Sequence, residues 1–358
     1  MKSSMLISFE QAYANLSDFD SIIDVRSPSE FAEDHIPGAI NCPVLDDQER
    51  IKVGTLYKHV SPFEAKKLGA ALVAKNIAQH IEQHFFDKPK EWQPLIYCWR
   101  GGNRSGSMTH ILSKIGWHAK QLDGGYKGFR RYVNQSLPAL AALAHWRVLC
   151  GTTGSGKSKL LQLLKAQGEQ VIDLEHIAQH RGSVLGKLPS NKQPSQKYFE
   201  THIWQALSSF DLSKVIYIEA ESKKIGDLRV PDAMMEQMRQ AACIHLELPL
   251  AQRIQFLIDD YPHFIKDHSL LGEQLRCLTS IHGKAQIQSW EDLAQQNRLS
   301  ELIEDLLAKH YDPAYLRSIE KNFKLASTAK QYRLDDASDR SFHELARQIR
   351  SEASTDHA

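Results

Sequence analysis

The chain has 358 residues, more than twice a typical domain of ~150, so two or three domains are expected. Its 44 Lys and Arg nearly cancel 43 Asp and Glu, and 42% hydrophobic with 24% charged residues excludes a disordered chain, a collagen-like fibre and a strongly basic packaging protein. Nucleic acid, if bound, needs a local patch, because the net charge of +1 gives no general attraction. No run approaches ~18 apolar residues, so no membrane span is expected. The start, Met1-Lys2-Ser3-Ser4, lacks a signal peptide's apolar core. Cys42, Cys98, Cys150, Cys243 and Cys277 are odd in number, scattered and without a C-x-x-C pair. A reduced, cytoplasmic protein is the expectation.

The elements alternate as in an α/β fold. Residues 21–25 and 38–42 read as short strands. Ser61-Pro62-Phe63-Glu64 reads as a helix start with a capping box, and Val73, Ile77, Ile81 and Phe85 then give one buried stripe. A strand at 95–98 runs into a glycine turn, followed by a helix at 104–115, a strand at 118–122 and the turn Gly124-Gly125. The Ala/Leu-rich stretch around 136–146 reads as a linker between a domain at 1–135 and one at 147–350. In the second domain, strands are expected at 147–150, 171–173, 215–219 and 243–248. Helices should start near Lys157, Ser195 and Pro231, with Phe199, Ile203 and Leu207 on one face of the second. From about Pro249 the pattern is almost wholly helical, and 351–358 read as a polar, frayed tail.

Two loops carry chemistry. Cys98-Trp99-Arg100-Gly101-Gly102-Asn103-Arg104-Ser105 lies where a strand turns into a helix. Backbone N–H groups there converge into a cradle that favours a thiolate and binds a tetrahedral anion, so Cys98 is the expected nucleophile. Arg100 and Arg104 can fork onto anion oxygens. Between 98 and 131 the bases are Arg100, Arg104, Lys114, Lys120, Lys127, Arg130 and Arg131, against the single acid Asp123.

Gly151-Thr152-Thr153-Gly154-Ser155-Gly156-Lys157-Ser158 matches G-x-x-x-x-G-K-[ST] between an expected strand and an expected helix, the context a P-loop requires. Its N–H groups wrap phosphate, Lys157 neutralises charge, and Ser158 is placed to ligate Mg²⁺. A diphosphate is thereby recognised, not the group attached to it. Asp173, Glu219 and Glu221 join Ser158 as a possible metal shell. Arg181 and Arg253 are candidates for further phosphate contacts.

Residues 6–132 resemble the rhodanese family. Ile23-Asp24-Val25-Arg26-Ser27, Glu30-Phe31, His35-Ile36-Pro37-Gly38-Ala39 and Leu122-Asp123-Gly124-Gly125 are similar to its signatures. Rhodaneses carry sulfur or selenium on the loop cysteine, here Cys98. Common single-domain members have four residues between cysteine and loop arginine. Cys98 to Arg104 encloses five, which resembles phosphatase and arsenate-reductase relatives and favours a bulkier, phosphate-bearing donor.

The two loops together resemble the tRNA 2-selenouridine synthase family. So do Asp46-Asp47-Gln48-Glu49-Arg50, Gly124-Gly125-Tyr126-Lys127-Gly128-Phe129-Arg130, His180-Arg181-Gly182-Ser183, Glu219-Ala220-Glu221-Ser222 and His310-Tyr311-Asp312-Pro313. The resemblance implies conversion of 2-thiouridine at the wobble position (U34) of tRNA for Lys, Glu and Gln to 2-selenouridine. It implies an S-geranyl intermediate made from geranyl diphosphate, then selenation by selenophosphate carried on Cys98. The P-loop would hold the geranyl diphosphate, with Mg²⁺ as possible cofactor. The anticodon loop would be the partner surface, with Trp99, Tyr126, Lys127, Phe129 and Arg130 as candidate tRNA contacts. A monomer is expected. The competing reading is an ATP-dependent P-loop kinase fused to a rhodanese-type sulfurtransferase. A phosphatase-like activity of the five-residue loop and a non-catalytic anion sensor are further rivals.

Overall fold

The computed structural model describes residues 5–182, 186, 192–261 and 268–355. It is a mixed α/β structure in two compact units. One comprises 1–137 together with Glu200–Gln205, the other 138–199 with 206–358.

The N-terminal unit holds a five-stranded, all-parallel sheet of β1 (Leu6–Ile7), β2 (Ser21–Asp24), β3 (Ala39–Asn41), β4 (Pro94–Tyr97) and β5 (Lys120–Leu122), in the order β1-β5-β4-β2-β3. Every residue of central β4 is buried, as its unbroken apolar run demands in a parallel sheet covered on both faces. The stripe along helix Pro62–His80 and its π-helical continuation Ile81–Phe85 packs as expected, with Val73, Ile77 and Phe85 buried beside Trp92, Ile96 and Met108. Ser61 caps that helix by accepting from the N–H groups of Phe63 and Glu64. The anticipated capping-box partner Glu64 instead pairs with Lys67. At the end of β2, buried Arg26 donates to Asp24 Oδ2 and to the carbonyl of Asp34, both at 2.6 Å, tying the strand end to the chain before β3.

The C-terminal unit holds β6 (His145–Cys150), β7 (Gln170–Ile172), β8 (Val215–Glu219), a small antiparallel pair β9 (Lys224–Ile225) and β10 (Leu228–Arg229), then β11 (Ala242–Glu247) and β12 (Lys330–Arg333). The main sheet is parallel, in the order β12-β11-β6-β8-β7. Strand order reverses around β6, so the loop after β6 opens at the crevice where such sheets bind ligands. Beyond Pro249 the chain is helical, with one correction. β12 returns to the sheet edge, and among its residues only Tyr332 is buried, too little to register as a strand period. A second helical core gathers Leu275, Leu278, Ile287, Trp290, Leu302 and Leu306.

Residues 136–143, read as linker, belong to helix Gly125–Leu143, and the next strand begins at His145. The last helix, Asp339–Thr355, runs past Ser351, where fraying was expected, because Glu352 accepts from Tyr332 and pairs with Lys330 at 2.7 Å. Helix Gln196–Ser209 starts on its Ser195 cap, and Phe199, Ile203 and Leu207 are buried as anticipated.

Candidate functional site

Cys98 follows β4 directly, and helix Asn103–Ile115 begins five residues later. Its sulfur accepts from the Gly102 N–H at 3.3 Å and from the Ser105 hydroxyl at 3.2 Å, so amide and hydroxyl converge on it. Gln121 on β5 braces the turn, donating to the Gly101 carbonyl at 2.6 Å and to Ser105 Oγ at 3.0 Å. The turn is glycine by necessity. Gly125 sits at φ +52°, and a Cβ there would lie 2.2 Å from the Cys98 carbonyl oxygen. That close approach lets the Tyr126 N–H reach the same oxygen at 2.8 Å.

The two loop arginines divide. Arg100 is exposed, free to meet an incoming anion. Arg104 is already spent: it forks onto Glu30 at 2.6 and 3.2 Å, 74 residues away in sequence. It therefore braces the loop rather than facing the cradle. The Arg104 guanidinium and the Ser27 N–H hold the Glu30 carboxyl below its ordinary range, against the opposing effect of burial.

Several expected tRNA contacts lie elsewhere. Tyr126 is 2% exposed and Phe129 0%, so neither can stack on a base. Phe129 packs against Phe9 and Trp204, at 5.0 and 5.7 Å between ring centroids. The Tyr126 hydroxyl donates to buried Asp34 at 2.8 Å, and the Tyr126 ring lies 4.0 Å under the Arg26 guanidinium. Arg130 is also buried, donating to Thr201 at 2.9 Å and pairing with Glu200. These residues organise the N-terminal unit's interior. Burial raises the Asp34 carboxyl although Tyr126, Arg130 and Thr201 stabilise its anion. Lys127 is exposed and Trp99 half-buried, stacked on Tyr126 at 5.2 Å. Only these two of the five retain surface.

In the C-terminal unit the glycine loop joins β6 to helix Lys157–Ala166 as its motif requires. Gly154, at φ +79°, lets the loop lie against the Arg253 backbone and Leu257. The Lys157 ammonium folds back onto the carbonyl of Gly151 at 2.6 Å, and the Tyr315 hydroxyl accepts from the Gly151 N–H at 2.6 Å. Arg253 spans the loop, donating to the Thr153 carbonyl at 2.9 Å and forking onto Asp312 at 2.9 and 2.6 Å. It shapes the loop from behind and is not a spare phosphate ligand. Arg181 pairs with Asp260 and lies over the Tyr261 ring at 4.6 Å. Ser183 of its motif falls outside the described residues. Ser155 is fully buried and its hydroxyl has no partner among the described residues, while Thr152 and Gly156 complete the turn.

Beside the loop lies a set of carboxylates. Ser158 Oγ donates to Glu175 Oε2 at 3.1 Å, and the Glu175 N–H donates to Glu219 Oε1 at 2.9 Å. Glu175 went unremarked in the sequence, although it stands two residues beyond the expected strand-end acid Asp173. Asp173 itself caps helix Leu174–Ala178 through the His176 N–H at 2.8 Å. Burial, then repulsion from Glu175, pushes Glu221 up to about 8. Burial followed by the charges of Asp173, Glu175 and Glu221 pushes Glu219 well above the carboxylate range, and its buried Oε2 has no partner among the described residues. Gly182 (φ +65°) closes over this set: a Cβ there would meet carboxylate oxygens of Glu175 and Glu221, both at 2.8 Å.

Among the described residues no three His, Cys, Asp or Glu side chains are arranged to hold a metal ion, so Asp173, Glu219, Glu221 and Ser158 do not form a ready shell. A smaller donor set does suit a divalent cation. Ser158 and Glu175 are already joined, Glu221 adjoins Glu175, and a cation would relieve the repulsion that raises these carboxyls.

The loop and acids open onto a cavity of about 650 Å³. One wall is polar: Lys157, Ser158, Glu175 and Glu221. The lining also holds the apolar and aromatic side chains Phe256, Leu257, Tyr311, Tyr315, Ile319 and Phe323. His310 also lines it, bonded to His282 at 3.0 Å; burial, then His282, lowers its basicity.

Residues 8–132 match the family model for a rhodanese-like domain, and 144–274 that for the tRNA 2-selenouridine synthase AAA domain. A tRNA 2-selenouridine synthase of Shewanella pealeana is 33% identical over 88% of this chain and 94% of its own length. One from Alcanivorax borkumensis is 33% identical over 82% and 88%. One from Nitrosomonas europaea is 35% identical over 67% of this chain, the match spanning 63% of the relative. With two glycine loops of this geometry in domains of these two kinds, and two of these relatives matched over 88% or more of their own length, the chain belongs to the tRNA 2-selenouridine synthase family.

Proposed function

We propose that this protein converts 2-thiouridine at the wobble position (U34) of tRNA for Lys, Glu and Gln to 2-selenouridine, in two steps assigned to the two loops. The observation that carries the reading is the composite lining of the C-terminal cavity, which joins a phosphate loop to aromatic and aliphatic side chains. A nucleotide asks for a polar base and sugar site. Geranyl diphosphate asks for an anion cradle beside an apolar trough, and this cavity offers both.

In the first step the thiocarbonyl sulfur attacks C1 of the geranyl group, a C–S bond forming as the C–O bond to diphosphate breaks. Loss of the N3 proton leaves the S-geranyl intermediate neutral. The loop N–H groups and Lys157 stabilise the charge that grows on the departing diphosphate, and fixed donors in a water-poor site do this best. A divalent cation held by Ser158, Glu175 and Glu221 would add charge neutralisation there. In the second step the Cys98 thiolate attacks the phosphorus of selenophosphate, an S–P bond forming as the P–Se bond breaks and selenide leaves. Water then hydrolyses the S-phosphocysteine to phosphate and returns the thiolate. The Gly102 N–H and Ser105 hydroxyl stabilise the anionic chalcogen, and exposed Arg100 meets the phosphoryl oxygens. Selenium then bonds to C2 as the C2–S bond breaks and geranyl thiol leaves, a far better leaving group than a thiocarbonyl sulfur.

The test follows isotope-labelled geranyl diphosphate into thiolated tRNA. Wild-type protein should transfer label, and Lys157→Ala should lose about 10²-fold or more in rate. Transfer at the wild-type rate in that variant would overturn the assignment. Brisk ATP turnover without tRNA would favour the kinase reading instead.

A further inference from the structure

The cavity has direction. Helix Asp312–Asn322 and its flanks present Tyr311, Ala314, Tyr315, Ser318, Ile319 and Phe323 to it, the i, i+3, i+4, i+7, i+8, i+12 spacing of a single helix face. Tyr315 marks the phosphate end, since its hydroxyl is bonded to the Gly151 N–H and its ring lies 5.4 Å from the Lys157 ammonium. The lining also includes the charged Arg181–Asp260 pair, its Asp260 side chain 43% exposed. Farther along the same helix the lining is apolar and buried: Ile319 is 8% exposed and Phe323 4%.

We infer that this buried apolar end is a prenyl-chain pocket whose depth, set by Ile319 and Phe323, selects the ten-carbon donor. The inference rests on the geranyl diphosphate reading and adds which residues measure the chain. From Tyr315 to Phe323 the helix face advances eight residues, about 12 Å at 1.5 Å per residue. With carbon–carbon bonds of ~1.5 Å, an extended geranyl chain is on the order of 10 Å long and a farnesyl chain on the order of 14 Å. The first fits between the diphosphate and the Phe323 ring; the second runs into it. A five-carbon dimethylallyl chain leaves the Ile319–Phe323 end unfilled and forgoes that apolar contact. Ser318, half-buried and midway along the face, keeps the channel open where a larger side chain would block it.

The experiment compares dimethylallyl, geranyl and farnesyl diphosphates as donors to thiolated tRNA in wild-type, Phe323→Ala, Ile319→Ala and Ser318→Phe proteins. Selenation of tRNA already carrying S-geranyl-2-thiouridine is measured in parallel as a control for folding. Wild-type protein should prefer geranyl over either neighbour by about tenfold or more. Phe323→Ala and Ile319→Ala should raise the farnesyl-to-geranyl ratio about tenfold. Ser318→Phe should lose geranyl transfer while keeping dimethylallyl transfer. Should Phe323→Ala fail the control, Ile319→Ala and Ser318→Phe decide the matter. Unchanged donor ratios in variants that pass the control would overturn the inference while leaving the geranyl reading intact. A wild-type protein that transfers no prenyl group from any donor would overturn that reading itself.

Discussion

The two loops use one backbone device for different chemical ends. Each leaves a buried parallel strand, turns on glycines and opens a helix, so each presents free N–H groups to an anion. Around Cys98 those donors converge on a single sulfur, and the surroundings are tied by internal bonds: Arg104 to Glu30, Gln121 to Gly101. Around Lys157 the loop opens into a large cavity, flanked by carboxylates that repel one another. A cradle built for one atom is braced by its neighbours. One built for an extended ligand keeps space and unbalanced charge for that ligand to fill. The difference predicts that damage to each loop should injure one step and spare the other.

The largest such effect is expected from Arg253→Ala. It removes the partner of Asp312 and the brace of the Thr153 carbonyl, and loss of one member of a largely buried pair costs about 3 kcal/mol. Thermal denaturation should show that loss, and geranyl transfer should fall while selenation of pre-geranylated tRNA survives. Gly125→Ala should cost about 2 kcal/mol, from strain at φ +52° and collision with the Cys98 carbonyl. Selenation should fall with it, and labelled geranyl transfer should not. Glu30→Gln should cost about 1 kcal/mol, because the Arg104 pair is only partly buried. A Glu30→Gln protein that selenates normally would show the brace to be dispensable.

The smallest effect is a pH slope. Glu221 rises from an ordinary 4.5 to about 8 in the fold. Its contribution to stability is therefore complete below about 4.5 and lost as the pH climbs through about 8. Without divalent cations the melting temperature should decline across that window. Glu221→Gln should flatten the decline, as should added Mg²⁺; a slope unchanged by both would remove Glu221 from the cation site.

What the sequence revealed follows from how far each feature reaches along the chain. Both loops, the strand at 215–219 and the stripe of Val73, Ile77 and Phe85 depend on neighbours within a few residues, and all were legible. Arg104 was misjudged because its partner Glu30 stands 74 residues away, and nothing local reports that pairing. Tyr126, Phe129 and Arg130 read as candidate tRNA contacts in a basic, aromatic stretch. Asp34, Thr201 and Trp204, distant in sequence, bury them. Edge strand β1 has only two residues and β12 a single buried side chain, too little to carry a period. Glu175 was overshadowed by Asp173, the acid closer to the strand end, yet it is the one bonded to the phosphate-loop serine.

The separation of the two steps can be measured directly with Cys98→Ser, which keeps a hydroxyl in the same cradle. The variant is incubated with thiolated tRNA, geranyl diphosphate and selenophosphate, and the wobble nucleosides are analysed by mass spectrometry. The account predicts that S-geranyl-2-thiouridine accumulates and no 2-selenouridine forms. Appearance of 2-selenouridine at the wild-type level would contradict it.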